Sequence, residues 1–278
     1  MNSQDVRVGF IGLGRMGRPM CGHLLRAGFA LTVFDAQAES IRALVKAGAQ
    51  GANSPGEVGA QSDVILVMVA DDAQVREVVA GANGLLQSAR RGQVIAICSS
   101  AHPDTCRALA KLAAVQGVDV VDAPVARGQR GAEAGELTVF AGGERGAFEK
   151  CRAVFAPFAQ NILYMGTSGA GQITKTCNNL MHWAEVVACH ETLTLGARLG
   201  IPANVLRPAL LAGSVDSRTL RELHLIGMVW PRKDLDIALE LAEASHTPLP
   251  LMEEVRGLVT KISAHDLRAL FQDVESAA

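Results

Sequence analysis

The chain has 278 residues, of which 49% are hydrophobic and 19% charged, with a formal net charge of -2. That length suits one large or two medium domains, and the apolar content excludes a disordered chain. No basic excess or stripe of the kind that marks a nucleic-acid binder is present. Aromatics are 4%, so the core is expected to be built from Ala, Val, Leu and Ile. Glycine supplies 28 residues, above the usual share of roughly 7%, and such residues mark places where backbone comes close to something.

Met1 to Asp5 carries no basic region and no cleavage pattern, so no secretory signal is expected. The most apolar run, Val64 to Ala70, lies between Asp63 and Asp71. A bilayer span needs about 20 residues, so no membrane segment is expected. The cysteines at 21, 98, 106, 151, 177 and 189 are scattered without a Cys-x-x-Cys pair. They read as reduced, mostly buried thiols of a cytoplasmic protein.

Val6 to Ile11 reads as a strand running into Gly12, with a helix over Arg15 to Ala27. A strand over Leu31 to Phe34 and a helix over Glu39 to Ala47, stopped by Gly48, follow. Val64 to Val69 is a strand, Gln74 to Val79 a helix, Val94 to Ile97 a strand and Pro103 to Gln116 a helix ended by Gly117. Val118 to Val121 and Leu137 to Ala141 are further strands. Continuously apolar strands alternating with helices predict a parallel sheet covered on both faces. The rhythm stops near residue 163, and no strand is evident after Tyr164.

Gln172 to Leu199 then reads as one long helix, apolar over most of its surface, of the kind that lies inside an assembly. Helices are expected over Ala203 to Ala212, Leu235 to Ser245, Leu251 to Ser263 and Asp266 to Asp273. The division is therefore an α/β domain over 1–163 and an all-helical domain over 164–278, beginning with the long helix.

Gly12-Leu13-Gly14-Arg15-Met16-Gly17 follows the first strand and opens the first helix. In that context the G-x-G-x-x-G spacing points to a dinucleotide. Gly12 makes the tight turn, Gly14 admits a pyrophosphate, Gly17 allows close helix packing, and the helix start faces the phosphates. Asp35 ends the second strand about 20 residues on, where a carboxylate accepts from a ribose 2′-hydroxyl. It repels a 2′-phosphate, and Ala36 offers no cation, so NAD is favoured over NADP. The competing reading of Asp35 is a helix N-cap.

Three further blocks complete a pattern: Asp122-Ala-Pro-Val-Ala-Arg-Gly128 leading into Gly131 to Thr138; Gly169-Ala-Gly-Gln-Ile-Thr-Lys175-Thr-Cys-Asn-Asn179; and Lys233-Asp-Leu-Asp-Ile-Ala238. With the glycine turn, they resemble the β-hydroxyacid dehydrogenase family over nearly the whole chain. The resemblance implies a Rossmann domain followed by an all-α domain like the C-terminal domain of 6-phosphogluconate dehydrogenase. It implies an NAD-dependent oxidoreductase acting on a small anionic 3-hydroxy acid or its semialdehyde, and a homodimer or homotetramer. It places Met68 to Ala70, Met68 and Val69 among them, beside the adenine side, the pair Ser99-Ser100 beside the nicotinamide ribose, and Lys233 on the cofactor side with Asp234 supporting it.

Hydride transfer from an alcohol needs a group to move the hydroxyl proton. Lys175, in the first turns of the long helix, is the candidate; the positive helix end and burial would both lower its pKa. Asn179, four residues on, shares its face and is suited to hold substrate or orient the lysine. The resemblance assigns both positions these roles. Lysine is sparse here, six against twenty arginines.

In the substrate loop the family pattern has Ser at 126 and Gly at 127, where this chain has Ala126 and Arg127; main-chain amides remain at Arg127 and Gly128. Arg127 has two readings. It clamps a substrate carboxylate, sulfonate or phosphate with its planar fork, or it points to solvent or pairs with Glu133 or Glu136. His182 and His190 read as core or interface residues, and no cluster suggests a metal. Two rival functions remain. One is an imine reductase, which shares the plan but lacks a lysine at 175; the other is a non-catalytic NAD-binding scaffold.

Overall fold

The computed structural model describes residues 6–272. The expected signal-free stretch 1–5 and the end of the helix expected over Asp266 to Asp273 lie outside the described residues.

The chain divides into two compact units, Met1–Lys175 and Thr176–Ala278. The first holds a nine-stranded sheet. Its elements are β1 (Arg7–Ile11), α1 (Gly17–Arg26), β2 (Ala30–Phe34), α2 (Ala38–Lys46), β3 (Gln50–Gly51), α3 (Pro55–Gln61), β4 (Val64–Val67) and α4 (Asp72–Ala80). Then come β5 (Val94–Ile97), α5 (Pro103–Ala114), β6 (Asp119–Asp122), β7 (Val125–Ala126), α6 (Gly128–Ala134), β8 (Leu137–Gly142), α7 (Arg145–Phe155) and β9 (Ala159–Gly166). The long helix α8 (Ala170–Arg198) begins in this unit.

The order β3-β2-β1-β4-β5-β6-β8-β7, with β9 on β8, places β4 on the opposite side of β1 from β2. The order reverses there, and such a switch point opens a crevice at the carboxyl ends of the strands. The register makes that edge straight. Ile11 pairs with Phe34 and with Val67, Val67 with Ile97, and Ile97 with Asp122. Gly12, Asp35, Met68 and Cys98 therefore leave the sheet side by side.

Alternation along each strand fills two cores. Val8, Phe10, Val64, Leu66, Val94 and Ala96 join one cluster, and Ile11, Ile65, Val67, Ile95 and Ile97 the other. This is the both-faces burial expected of apolar parallel strands. The sheet departs from the all-parallel expectation at its end: β8 runs antiparallel to β6 and β7. The reason is length. Only residues 127–136, with the short helix α6 among them, separate β7 from β8, and a parallel crossover needs a dozen or more residues.

The second unit continues α8 and adds α9 (Ala203–Leu211), α10 (Arg218–Arg221), α11 (Pro231–Ala244), α12 (Pro250–Val259) and α13 (Ala264–Ala269). Its core gathers Trp183, Val186, Val187 and Leu193 of α8 with Leu220, Leu235, Val255, Val259 and Leu267. No strand follows Gly166 among the described residues. The compact sheet unit runs past the expected boundary at 163/164, because β9 and the first turns of α8 belong to it.

Candidate active site

The chain leaves β1 through Gly12, at φ +94, whose amide donates to the Phe34 carbonyl at 3.0 Å. A Cβ on Gly12 would lie 2.2 Å from the Met68 carbonyl oxygen, and one on Gly17 would lie 1.9 Å from the Gly12 carbonyl oxygen. Both positions are closed to any side chain. Gly14 differs, since a Cβ there would meet nothing within 4 Å. The residue is open to an approaching group. Helix α1 starts without a side-chain cap, so its first amides are left for an anion. These features fit a dinucleotide pyrophosphate.

Asp35 is half-buried beside this turn. Its Oδ2 accepts from the Leu13 amide at 2.7 Å and its Oδ1 from the Gln37 amide at 2.8 Å. It is not the cap of α2, which is Gln37. An ionised carboxylate has about four lone-pair sites, so capacity for a ribose hydroxyl remains. Leu13 contributes main chain only, since its side chain is fully buried in the core. Arg15 is exposed, and Met16 is half-buried against the core. Val69 is tied to the loop after β5: its amide donates to Ser99 Oγ at 2.8 Å, and that hydroxyl donates to the Val69 carbonyl at 2.9 Å. Ser100 follows, half-buried.

The start of α8 is held from the same sheet edge. Asp122 has 0% exposure; its Oδ1 accepts from the Gly169 amide at 2.7 Å and its Oδ2 from the Gln172 amide at 3.0 Å. Burial pushes its carboxyl up to about 6, against the pull of these amides. The Gln172 side chain is buried and bridges the next loop. Its Nε2 donates to the Ser99 carbonyl at 2.8 Å and its Oε1 accepts from the Ala101 amide at 3.1 Å. A Cβ on Gly171 would meet the Phe140 carbonyl oxygen at 2.3 Å, so the helix seats directly on the sheet.

Lys175, half-buried, sits one turn along, and Asn179 lies on the same face and is buried. Asn179 Oδ1 accepts from Asn178 Nδ2 at 3.2 Å. The Asp122 carboxylate, on the Gly169 and Gln172 amides, stands at the positive end of the same helix.

The substrate-loop residues lie at the end of β7. Ala126 is buried in β7 opposite Thr138, and Gly128 is exposed. Between them, the Arg127 guanidinium turns back on the chain. Its Nη1 donates to the Glu136 carbonyl at 2.7 Å and to Gln160 Oε1 at 2.6 Å, and its Nη2 donates to Glu136 Oε2 at 2.8 Å. Of the two readings, the structure shows the ion pair with Glu136. Glu133 instead accepts from Gln129.

In the helical unit Lys233 is half-buried in the first turn of α11. Asp234 Oδ2 accepts from Trp183 Nε1 at 3.0 Å, fastening α11 to α8. His182 bonds Thr219 at 3.0 Å as a core residue. Among the described residues no group of His, Cys, Asp or Glu could hold a metal, and no helix is long and apolar enough to cross a membrane. The positioning roles of Asp122 and Gln172 are what sequence reasoning missed. A polar residue ending an apolar strand, as Asp122 does, was the available signal.

The family model for the NAD binding domain of 6-phosphogluconate dehydrogenase matches residues 7–166. The model for the NAD-binding domain of NADP-dependent 3-hydroxyisobutyrate dehydrogenase matches 169–275. The chain is 34% identical over 259 residues to 2-(hydroxymethyl)glutarate dehydrogenase of Eubacterium barkeri, covering 89% of this chain and 86% of that one. It is 33% identical over 268 residues to 3-hydroxyisobutyrate dehydrogenase of Pseudomonas aeruginosa, covering 90% of each. A structure of 3-hydroxyisobutyrate dehydrogenase of Mycobacterium tuberculosis with L-serine superposes with a TM-score of 0.85 at 24% identity, over 96% of this chain and 99% of that one. An imine reductase from Myxococcus stipitatus shares the fold alone, at 18% identity and a TM-score of 0.68, over 97% of this chain and 100% of that one. The chain is an oxidoreductase of CH–OH groups that uses NAD, and it belongs to the β-hydroxyacid dehydrogenase family.

Proposed function

We propose that the protein oxidises a small 3-hydroxy acid, or reduces its semialdehyde, with Lys175 moving the hydroxyl proton and Asn179 holding the substrate. The observation that carries this reading is the seating of α8. Asp122 and Gln172 fix its first turn to the strand ends and to the Ser99–Ala101 loop, so the lysine is set on a rigid base. A proton-transfer group gains from such fixed placement.

The main chain of Gly12 to Gly17, with Asp35, Met68, Val69 and Ser100, is proposed to hold the cofactor. Bound NAD supplies the hydride acceptor. Asp35 without a neighbouring cation supports NAD over NADP. The main chain of Ala126, Arg127 and Gly128 is proposed to meet the substrate carboxylate. The names of the two relatives share one chemical unit, a hydroxymethyl group on the carbon bearing a carboxylate, and we take that unit as the substrate class. A cytoplasmic location and a homodimer or homotetramer are proposed, the association supported by the exposed apolar residues Ile173, Met181 and Leu195 of α8 and Leu199 just past its end.

The test is NADH formation with a panel of hydroxymethyl carboxylates, each assayed with NAD and with NADP. Turnover of at least one acid, with NAD preferred, is expected. Turnover of imines but of no hydroxy acid would reject the reading.

A further inference from the structure

The loop after β7 turns through two left-handed residues, Arg127 at φ +88 and Gly128 at φ +61. Glycine adopts that conformation freely, whereas a residue with a Cβ resists it. Arg127 is the one non-glycine residue at positive φ among the described residues of the sheet unit. The surrounding structure must therefore hold it there.

The hydrogen bonds show how. Glu136 directly precedes β8 and Gln160 lies in β9, so the guanidinium is fastened to neighbouring strands at three acceptor atoms. The side chain is 15% exposed, which shields the charge-assisted bonds from water. Its stem passes over Gly131, where a Cβ would meet Arg127 Cβ at 2.6 Å. The Nε is buried and has no acceptor, so it is not offered to a ligand. The whole side chain is spent on its own loop.

We propose that Arg127 is a positioning residue: its clamp on Glu136 and Gln160 imposes the backbone conformation that a glycine at 127 would adopt unaided, and so presents the main chain of 126–128 to the substrate carboxylate. The proposal rests on the reading of 126–128 as the substrate loop. It also assigns the guanidinium no contact with the substrate.

Three variants separate these roles. Arg127→Ala loses the clamp but keeps a Cβ. Arg127→Gly loses both clamp and conformational resistance. Glu136→Gln weakens the clamp at a distance and guards against an Arg127→Ala protein that does not fold. Expected is a KM for the hydroxy acid about tenfold higher in Arg127→Ala with kcat nearly kept, about threefold higher in Glu136→Gln, and largely recovered in Arg127→Gly. Hydrogen exchange of amides 126–137 reads the same order without turnover: faster in Arg127→Ala than in Arg127→Gly. If Arg127→Gly loses substrate affinity as fully as Arg127→Ala while its amides stay protected, the guanidinium binds the substrate and the proposal falls. It falls equally if Arg127→Ala matches the wild type in KM and exchange. A wild-type protein that oxidises no hydroxy acid defeats the functional reading alone, and the exchange order still decides the clamp.

Discussion

Asp122 shows how one residue can govern a site it does not enter. Its carboxyl is buried and raised to about 6, whereas in the unfolded chain it titrates near about 4. Between those values the native state binds more proton than the unfolded state, so this group's contribution to stability rises as pH falls through that window and is lost as pH rises through 6. Asp122→Asn should abolish that slope. It should also cost about 1–3 kcal/mol at neutral pH, because the amide turns a donor toward the Gly169 or Gln172 amide. Thermal unfolding of both proteins from pH 4 to 8 measures this; identical slopes would remove Asp122 as the titrating group. Gly12 gives a second residue-scale test. An added methyl meets the Met68 carbonyl oxygen at 2.2 Å under φ +94, so Gly12→Ala should lower stability by about 1–3 kcal/mol and weaken NADH binding. Calorimetry and fluorescence titration report each effect, and unchanged NADH affinity would place the cofactor elsewhere.

At the scale of elements, α8 is the part whose placement matters most, and Gln172 is its link to the Ser99–Ala101 loop. Gln172→Leu strands a buried carbonyl and a buried amide, at a cost of about 2 kcal/mol or more. The loop beside Val69 should loosen with it, raising KM for NAD more than KM for the acid; an equal rise in both would show that the bridge serves folding only. None of this bridging was legible in the sequence, because Gln172 and Ser99 lie 73 positions apart and Gln172 and Asp122 lie 50 apart. The glycine turn was legible, since its spacing is set by the shape of what binds there. Strands β1, β2, β4, β5 and β6 were legible as apolar runs, and α8 as an uninterrupted helical pattern. Two-residue strands such as β3 and β7 have no period to read. Helix α7 buries Ala147, Phe148, Cys151, Val154 and Phe155 at helical spacing, a signal present in the chain but absent from the sequence reading. The Arg127 clamp needed the structure, because either glutamate satisfied the sequence.

At the scale of the whole molecule, Met181 and Leu195 of α8 are 62% and 59% exposed, and Leu199 just past its end is 73% exposed. Apolar patches of this kind mark association surfaces, and the proposed oligomer would cover them. Met181→Glu with Leu195→Glu should shift the mass seen by light scattering from oligomer to monomer; a wild type already monomeric at assay concentration would contradict the proposal. The central claim is that this NAD-dependent oxidoreductase moves its proton through Lys175. Single-turnover NADH formation, followed by absorbance with a hydroxymethyl carboxylate the wild type accepts, tests it most directly. Lys175→Ala should slow that step by about 10²–10⁴-fold while binding NADH as the wild type does. A Lys175→Ala enzyme that transfers hydride at the wild-type rate would contradict the account.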